Sequence, residues 1–137
     1  MTGQTAKIVR FHKTGDASVL KLEDLPVQVP VGDEIRITVE AIGLNRAEVM
    51  FREGQYLESP KFPSKLGYEA SGVIEAVGPD VSDFTVGDKV STIPAFSMGK
   101  YGVYGERAIV PARAAAKFPA NLSAVEGTSI WMQYITA

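Results

Sequence analysis

The chain has 137 residues, 45% apolar and 22% charged, with 14 basic and 16 acidic side chains giving a formal charge of −2. These figures suit one globular domain with a sizeable core. With no Cys and one His they exclude a disulfide scaffold and a cysteine zinc cluster, and no Lys/Arg stripe is present for a nucleic-acid backbone.

Residues 7–11 form a short β-prone run, and residues 19–29 alternate imperfectly up to two prolines. Residues 33–44 carry the clearest period-2 pattern, with Ile35, Ile37 and Val39 on one face and Glu34, Arg36, Thr38 and Glu40 on the other. The character then changes. Asn45 stands in cap position before Ala47, Met50 and Phe51 at helical spacing, and Gly54 supplies a stop. Strands are expected again over 70–77, 89–93 and 103–110, separated by turns at Gly78-Pro79-Asp80 and Val86-Gly87-Asp88. Many short strands with regular turns predict a mainly β barrel or sandwich with short helices.

Ser123-Ala124-Val125-Glu126 matches a capping box. Ile130, Trp131, Tyr134 and Ile135 follow at the spacing of an apolar helical face. One helix is expected from this box through Ala137, with no stop signal, as though the chain ended inside an element. No G-x-G-x-x-G follows any strand, so the dinucleotide fingerprint is missing. No apolar run approaches the ~20 residues of a membrane span, and the start lacks a signal segment, so a cytoplasmic location is expected.

Six motifs occur in order: Gly43-Leu44-Asn45-Arg46-Ala47-Glu48, Glu53-Gly54-Gln55-Tyr56, Gly67-Tyr68-Glu69-Ala70-Ser71-Gly72-Val73-Ile74, Val86-Gly87-Asp88-Lys89-Val90, Tyr104-Gly105-Glu106 and Gln133-Tyr134-Ile135-Thr136-Ala137. Together they resemble the catalytic domain of the medium-chain dehydrogenase/reductase superfamily, and within it the zinc-independent quinone oxidoreductase and zeta-crystallin-like branch. The resemblance implies a GroES-like, partly open β-barrel over residues 1–122. Residues 123–137 would begin the helix leading to a Rossmann domain absent from this chain.

It also implies NADP as cofactor, held between the two domains, and hydride transfer to a quinone, enone, enoyl or carbonyl substrate. Asn45 stands where zinc-dependent relatives carry a cysteine, and Tyr68 where they carry a histidine. Ala47 replaces the hydroxyl residue that relays the alcohol proton. No metal is therefore expected; oxygen ligands favour Mg, Ca or Mn over zinc. By resemblance Asn45, Arg46, Gln133 and Thr136 would contact the cofactor, and Tyr56, Asn45 and Tyr68 would serve catalysis.

Each of these residues has a plainer reading. Asn45 suits a helix cap, Arg46 a solvated helix start, Tyr56 a rim aromatic, Tyr68 a core aromatic, and Gln133 with Thr136 the polar side of the last helix. Arg46 is the sharpest of them, because a cation at a helix N-terminus opposes the dipole unless an anion joins it. Glu69, among small and apolar residues, calls for a partner, and a structural ion pair, for which an arginine is one candidate, is expected rather than a catalytic role. His12 reads as a solvated turn residue.

The leading reading is thus the catalytic-domain portion of a reductase, inactive alone, whose partners are a small-molecule substrate and its own C-terminal domain or a second copy at the last helix. A non-catalytic GroES-like binding or assembly module and a zinc-type alcohol dehydrogenase are the alternatives.

Overall fold

In the computed structural model, residues 3–137 are described. Two antiparallel sheets carry the fold. β1 (Thr5–Phe11) and β2 (Leu20–Pro26) form a hairpin in full register from Thr5 opposite Pro26 to Phe11 opposite Leu20. β3 (Glu34–Gly43), β4 (Glu69–Val77), β5 (Lys89–Thr92), β6 (Arg107–Pro111) and β7 (Ala115–Lys117) form a second sheet in the order β6-β3-β4-β5-β7. Bridges from Ile8 to Gly105 and from Phe11 to Ser64 tie the hairpin across it and begin to close a barrel.

The alternation along β3 sets the core. Ile35 and Ile37 are fully buried, and with Ile74, Val90 and Val110 from neighbouring strands they form the apolar interior. Burying a large aliphatic side chain contributes roughly 1.5–3 kcal/mol, so this single face of the sheet anchors the domain. Two register shifts, at Arg36/Ile37 and Val39/Ala41, bend β3 where it meets β4. β3 and β4 approach closely at Gly72, where an added Cβ would stand 1.9 Å from the Thr38 carbonyl oxygen.

α1 (Arg46–Glu53) follows β3 directly. Ala47 and Phe51 bury their side chains, and Gly54 ends the helix at φ 78° with its N–H bonded to the Met50 and Phe51 carbonyls, the left-handed stop that glycine adopts without strain. Phe11 packs edge-to-face on Phe51, with centroids 5.7 Å apart, and so docks the helix on the hairpin.

The expected strand over 103–110 begins only at Arg107. Before it, the Val103 and Tyr104 N–H groups bond the Gly67 and Leu66 carbonyls instead of a ladder neighbour. α2 (Met98–Tyr101) had no sequence signal; Ser97 caps it, and the Glu58 carboxylate accepts the Met98 and Gly99 N–H groups from some forty residues away. β7 was likewise unforeseen.

The helix expected to run unbroken from Ser123 to Ala137 is two helices. The capping box forms as expected, with Ser123 Oγ accepting the Glu126 N–H and Glu126 accepting the Ser123 N–H. α3 (Ala124–Gly127) then stops, and α4 (Trp131–Thr136) starts afresh. Gly127 packs against the Phe118 ring, where a Cβ would stand 3.0 Å away, and Thr128 turns inward and is buried. Tertiary packing overrides helical continuity here. The apolar side of α4 stays largely open, with Tyr134 78% and Ile135 55% exposed. Trp131 lies part-buried, with its Nε1 donating to Ser91 Oγ at 2.9 Å. Among the described residues no helix is long and apolar enough to cross a membrane.

Candidate functional site

The end of β3 and the start of α1 set the position of Asn45. Its backbone is extended and occupies the N-cap place, yet its side chain makes no capping bond. The amide turns inward instead, Nδ2 donating to Glu69 Oε1 at 2.9 Å. The other carboxylate oxygen of Glu69 accepts the Met132 N–H at 3.1 Å, in the first turn of α4. One carboxylate, 2% exposed, therefore ties α1 to α4.

The arginine partner expected for Glu69 is absent. A neutral amide and a backbone N–H at a helix start bond the buried carboxylate instead. Gly43 makes the junction possible: a Cβ there would stand 2.7 Å from the Thr128 carbonyl oxygen and 3.0 Å from Glu69 Cβ.

Between the two helices lies an open cleft of about 520 Å³, lined by Asn45, Arg46 and Ala47 on one side and Met132, Gln133, Thr136 and Ala137 on the other. All four residues singled out for the cofactor meet here. Arg46 is exposed and has no ion-pair or hydrogen-bond partner among the described residues. With Asn45 turned away, the N–H groups that open α1 also lack a side-chain cap.

Tyr56 and Tyr68 come together in a second cluster. Their hydroxyl oxygens are 3.3 Å apart and their rings meet edge-on at 6.4 Å. Phe51, Tyr56, Tyr68, Phe96 and Tyr101 continue this edge-to-face series. Tyr68 is 8% exposed, and burial, then the hydrogen bond with Tyr56, pushes its hydroxyl well above the usual phenol range, so it stays protonated. Neither tyrosine lines the Asn45–Arg46 cleft. The Tyr68 backbone is fixed by Thr92 Oγ1 donating to its carbonyl at 2.7 Å.

Glu48 is the functional-looking residue to which the sequence assigned no role. It is 4% exposed, with Oε1 2.8 Å from the Tyr104 hydroxyl and 3.4 Å from the Tyr68 N–H, while Oε2 has no partner among the described residues. Burial raises its carboxyl above the ordinary range. The Tyr104 oxygen also lies 2.9 Å from the Gly43 carbonyl. One hydroxyl hydrogen cannot serve two acceptors well; a protonated Glu48 resolves this by donating to Tyr104, which then donates to Gly43. The available signal was Glu48's place beside Ala47 and three residues before Phe51, on the buried face of α1.

His12 Nε2 lies 2.9 Å from Glu23 Oε2 on the hairpin surface, remote from both clusters. Among the described residues no three His, Cys, Asp or Glu side chains converge in a way that could hold a metal ion.

Residues 32–120, which contain Asn45, Tyr56, Tyr68 and Glu69, match the model of the alcohol dehydrogenase GroES-like domain. The chain belongs to this family. The GroES-like domain is 37% identical to the quinone oxidoreductase of Homo sapiens, over 99% of this chain and 41% of that protein. It also superposes on the Escherichia coli quinone oxidoreductase complexed with NADPH at a TM-score of 0.85, with 30% identity over 95% of this chain and 38% of that one. The human synaptic vesicle membrane protein VAT-1 homolog-like protein gives a TM-score of 0.88 and 28% identity, over 98% of this chain and 41% of that one. The chain spans about two fifths of the length of the relatives it matches. The matched segment of this GroES-like domain ends at residue 120, so α4 lies outside it and the Asn45–Glu69–Met132 junction crosses its end.

Proposed function

We propose that this chain is the substrate-side part of a zinc-independent, NADPH-dependent oxidoreductase reducing quinones, enones, enoyl compounds or carbonyls. The cofactor would be shared with a Rossmann domain that follows residues 123–137. The observation that carries this reading is the cleft between α1 and α4, where Arg46 has no protein partner and Gln133 and Thr136 face it. That donor set, a free guanidinium beside uncapped helix N–H groups, an amide and a hydroxyl, suits phosphate and ribose oxygens. It is also a locally unfavourable arrangement without an anion. The similar Escherichia coli quinone oxidoreductase, solved in complex with NADPH, adds weight.

Bound NADPH supplies the reducing equivalent. Arg46 would neutralise the cofactor's phosphates, and Gln133 and Thr136 would hold it by hydrogen bonds. Asn45 has one Nδ2 hydrogen committed to Glu69, which fixes the amide plane and leaves Oδ1 for a ribose hydroxyl. Tyr68 is held protonated; when it donates to Tyr56, the Tyr56 hydrogen is free to stabilise negative charge developing on the substrate oxygen. Zinc independence rests on composition, since thiolates and imidazoles build such centres and this chain has no Cys and one His.

The test is NADPH oxidation by the product of the full reading frame, with 1,4-benzoquinone and with a simple enone, before and after dialysis against a chelator. Turnover that survives the chelator is expected. Absence of turnover with every acceptor, or turnover restored only by zinc, overturns the reading.

A further inference from the structure

A second cavity of about 260 Å³ lies between the β1–β2 hairpin and the outer face of β3 and β6, lined by Arg10, Arg36, Lys65 and Arg107 together with apolar and amide groups. It shares no residue with the cleft at Asn45 and Arg46. No carboxylate lines it. Its size is far above the roughly 10–15 Å³ that one water requires.

The charge around it does not balance. Arg36 and Arg107 both bond the same carboxylate, Glu75, so one anion serves two guanidinium groups. Arg10 has its Nε on Glu23 at 2.6 Å, and His12 draws on that same carboxylate at 2.9 Å. The terminal Nη groups of Arg10 have no acceptor among the described residues, and neither does the Lys65 ammonium. Glu34, the other carboxylate whose field reaches Lys65, has its oxygens taken by the Val31 N–H and the Tyr101 hydroxyl.

Lys65 is half-buried, and desolvation, then the charge of Arg10, lowers its ammonium from the usual lysine range. A desolvated cation is costly without a counter-charge. Four cationic side chains around a space with two bonded carboxylates leave donors in excess of acceptors.

From this juxtaposition we infer that the cavity between the hairpin and the β3–β6 sheet binds a small oxyanion through Lys65 and Arg10. Charge-assisted bonds to the ammonium and the free guanidinium nitrogens hold it, and Arg36 and Arg107, which share the single Glu75 carboxylate, add a net positive field. The anion links Arg10 on β1 to Lys65 in the segment before β4, and so clamps the hairpin to the sheet.

Inorganic phosphate is the probe, added to the chain at constant ionic strength set with sodium chloride. A saturable rise in Tm is expected, with an apparent phosphate Kd at least about tenfold weaker in Lys65→Met and unchanged in Lys89→Met, an exposed lysine that lines neither cavity. Phosphate also stabilises proteins non-specifically, so an equal rise in Lys65→Met, or no rise beyond chloride, overturns the inference. Amide shift mapping on the unaltered chain gives a reading that needs no variant. Saturating shifts at Arg10, Lys65, Ala108 and Ile109 support the site, and shifts centred on Arg46 or scattered over the surface overturn it.

Discussion

Asn45 Nδ2 stands 2.9 Å from Glu69 Oε1, while the other oxygen of the same carboxylate holds the Met132 N–H at 3.1 Å. The residue that would face substrate and cofactor is thus held by a neighbour that simultaneously fixes the helix on the far side of the cleft. Cleft width and Asn45 orientation depend on one buried side chain.

Glu69→Ala removes both bonds and leaves the Asn45 amide and the α4 start without acceptors. Each buried donor left unsatisfied costs about 1–3 kcal/mol, so a loss of that order or somewhat more is expected in urea unfolding. Glu69→Gln keeps one acceptor oxygen and is expected to lose less than Glu69→Ala. Equal stability of Glu69→Ala and the unaltered chain would contradict the bridging role.

Glu48 sets a pH dependence with a definite sign. Its carboxyl is raised in the folded state by burial, whereas in the unfolded chain it titrates near 4.5. Between the two values the folded state binds more protons, so stability falls as pH rises. The penalty is absent below about pH 4.5 and complete once pH exceeds the raised folded value. Glu75 and Asp88, whose carboxyls are lowered, act oppositely and at lower pH. Unfolding curves of Glu48→Gln are therefore expected to decline less than those of the unaltered chain between pH 5 and 8, a range set by ordinary carboxyl titration; superimposable pH profiles would remove Glu48 from the account.

Gly72→Ala places a Cβ 1.9 Å from the Thr38 carbonyl oxygen, on backbone that cannot swing away without breaking the β3–β4 ladder. Overpacking costs typically about 1–3 kcal/mol, and a backbone clash lies at or above the top of that range. A Tm fall of several degrees is the expected readout, and an unchanged Tm would show that β3 and β4 separate more easily than the packing implies.

Much of the fold was legible because local chemistry and tertiary packing agree. The alternation of Ile35 and Ile37, the Gly54 stop and the Ser123 capping box are each decided within a few residues, and each forms as expected. What escaped depends on partners distant in sequence. α2 is capped by Glu58 from some forty residues away, and the break between α3 and α4 follows from Gly127 against Phe118 and from the bond between Glu69 and Met132. The Glu69 partner was misjudged for the same reason, since nothing local distinguishes an arginine from an amide and a helix start. The site residues were chosen through motif order, and their grouping into a cleft and a tyrosine pair emerged only from the arrangement of β3, α1 and α4.

The most direct measurement is the NADPH dissociation constant of the full-reading-frame protein and its Arg46→Ala variant, followed by cofactor fluorescence. A charge-assisted bond worth about 1.5–3 kcal/mol predicts a Kd weaker by roughly 10- to 100-fold, with Arg46→Lys between the two. An NADPH affinity unchanged by removal of the Arg46 guanidinium would contradict the assignment of the α1–α4 cleft to the cofactor.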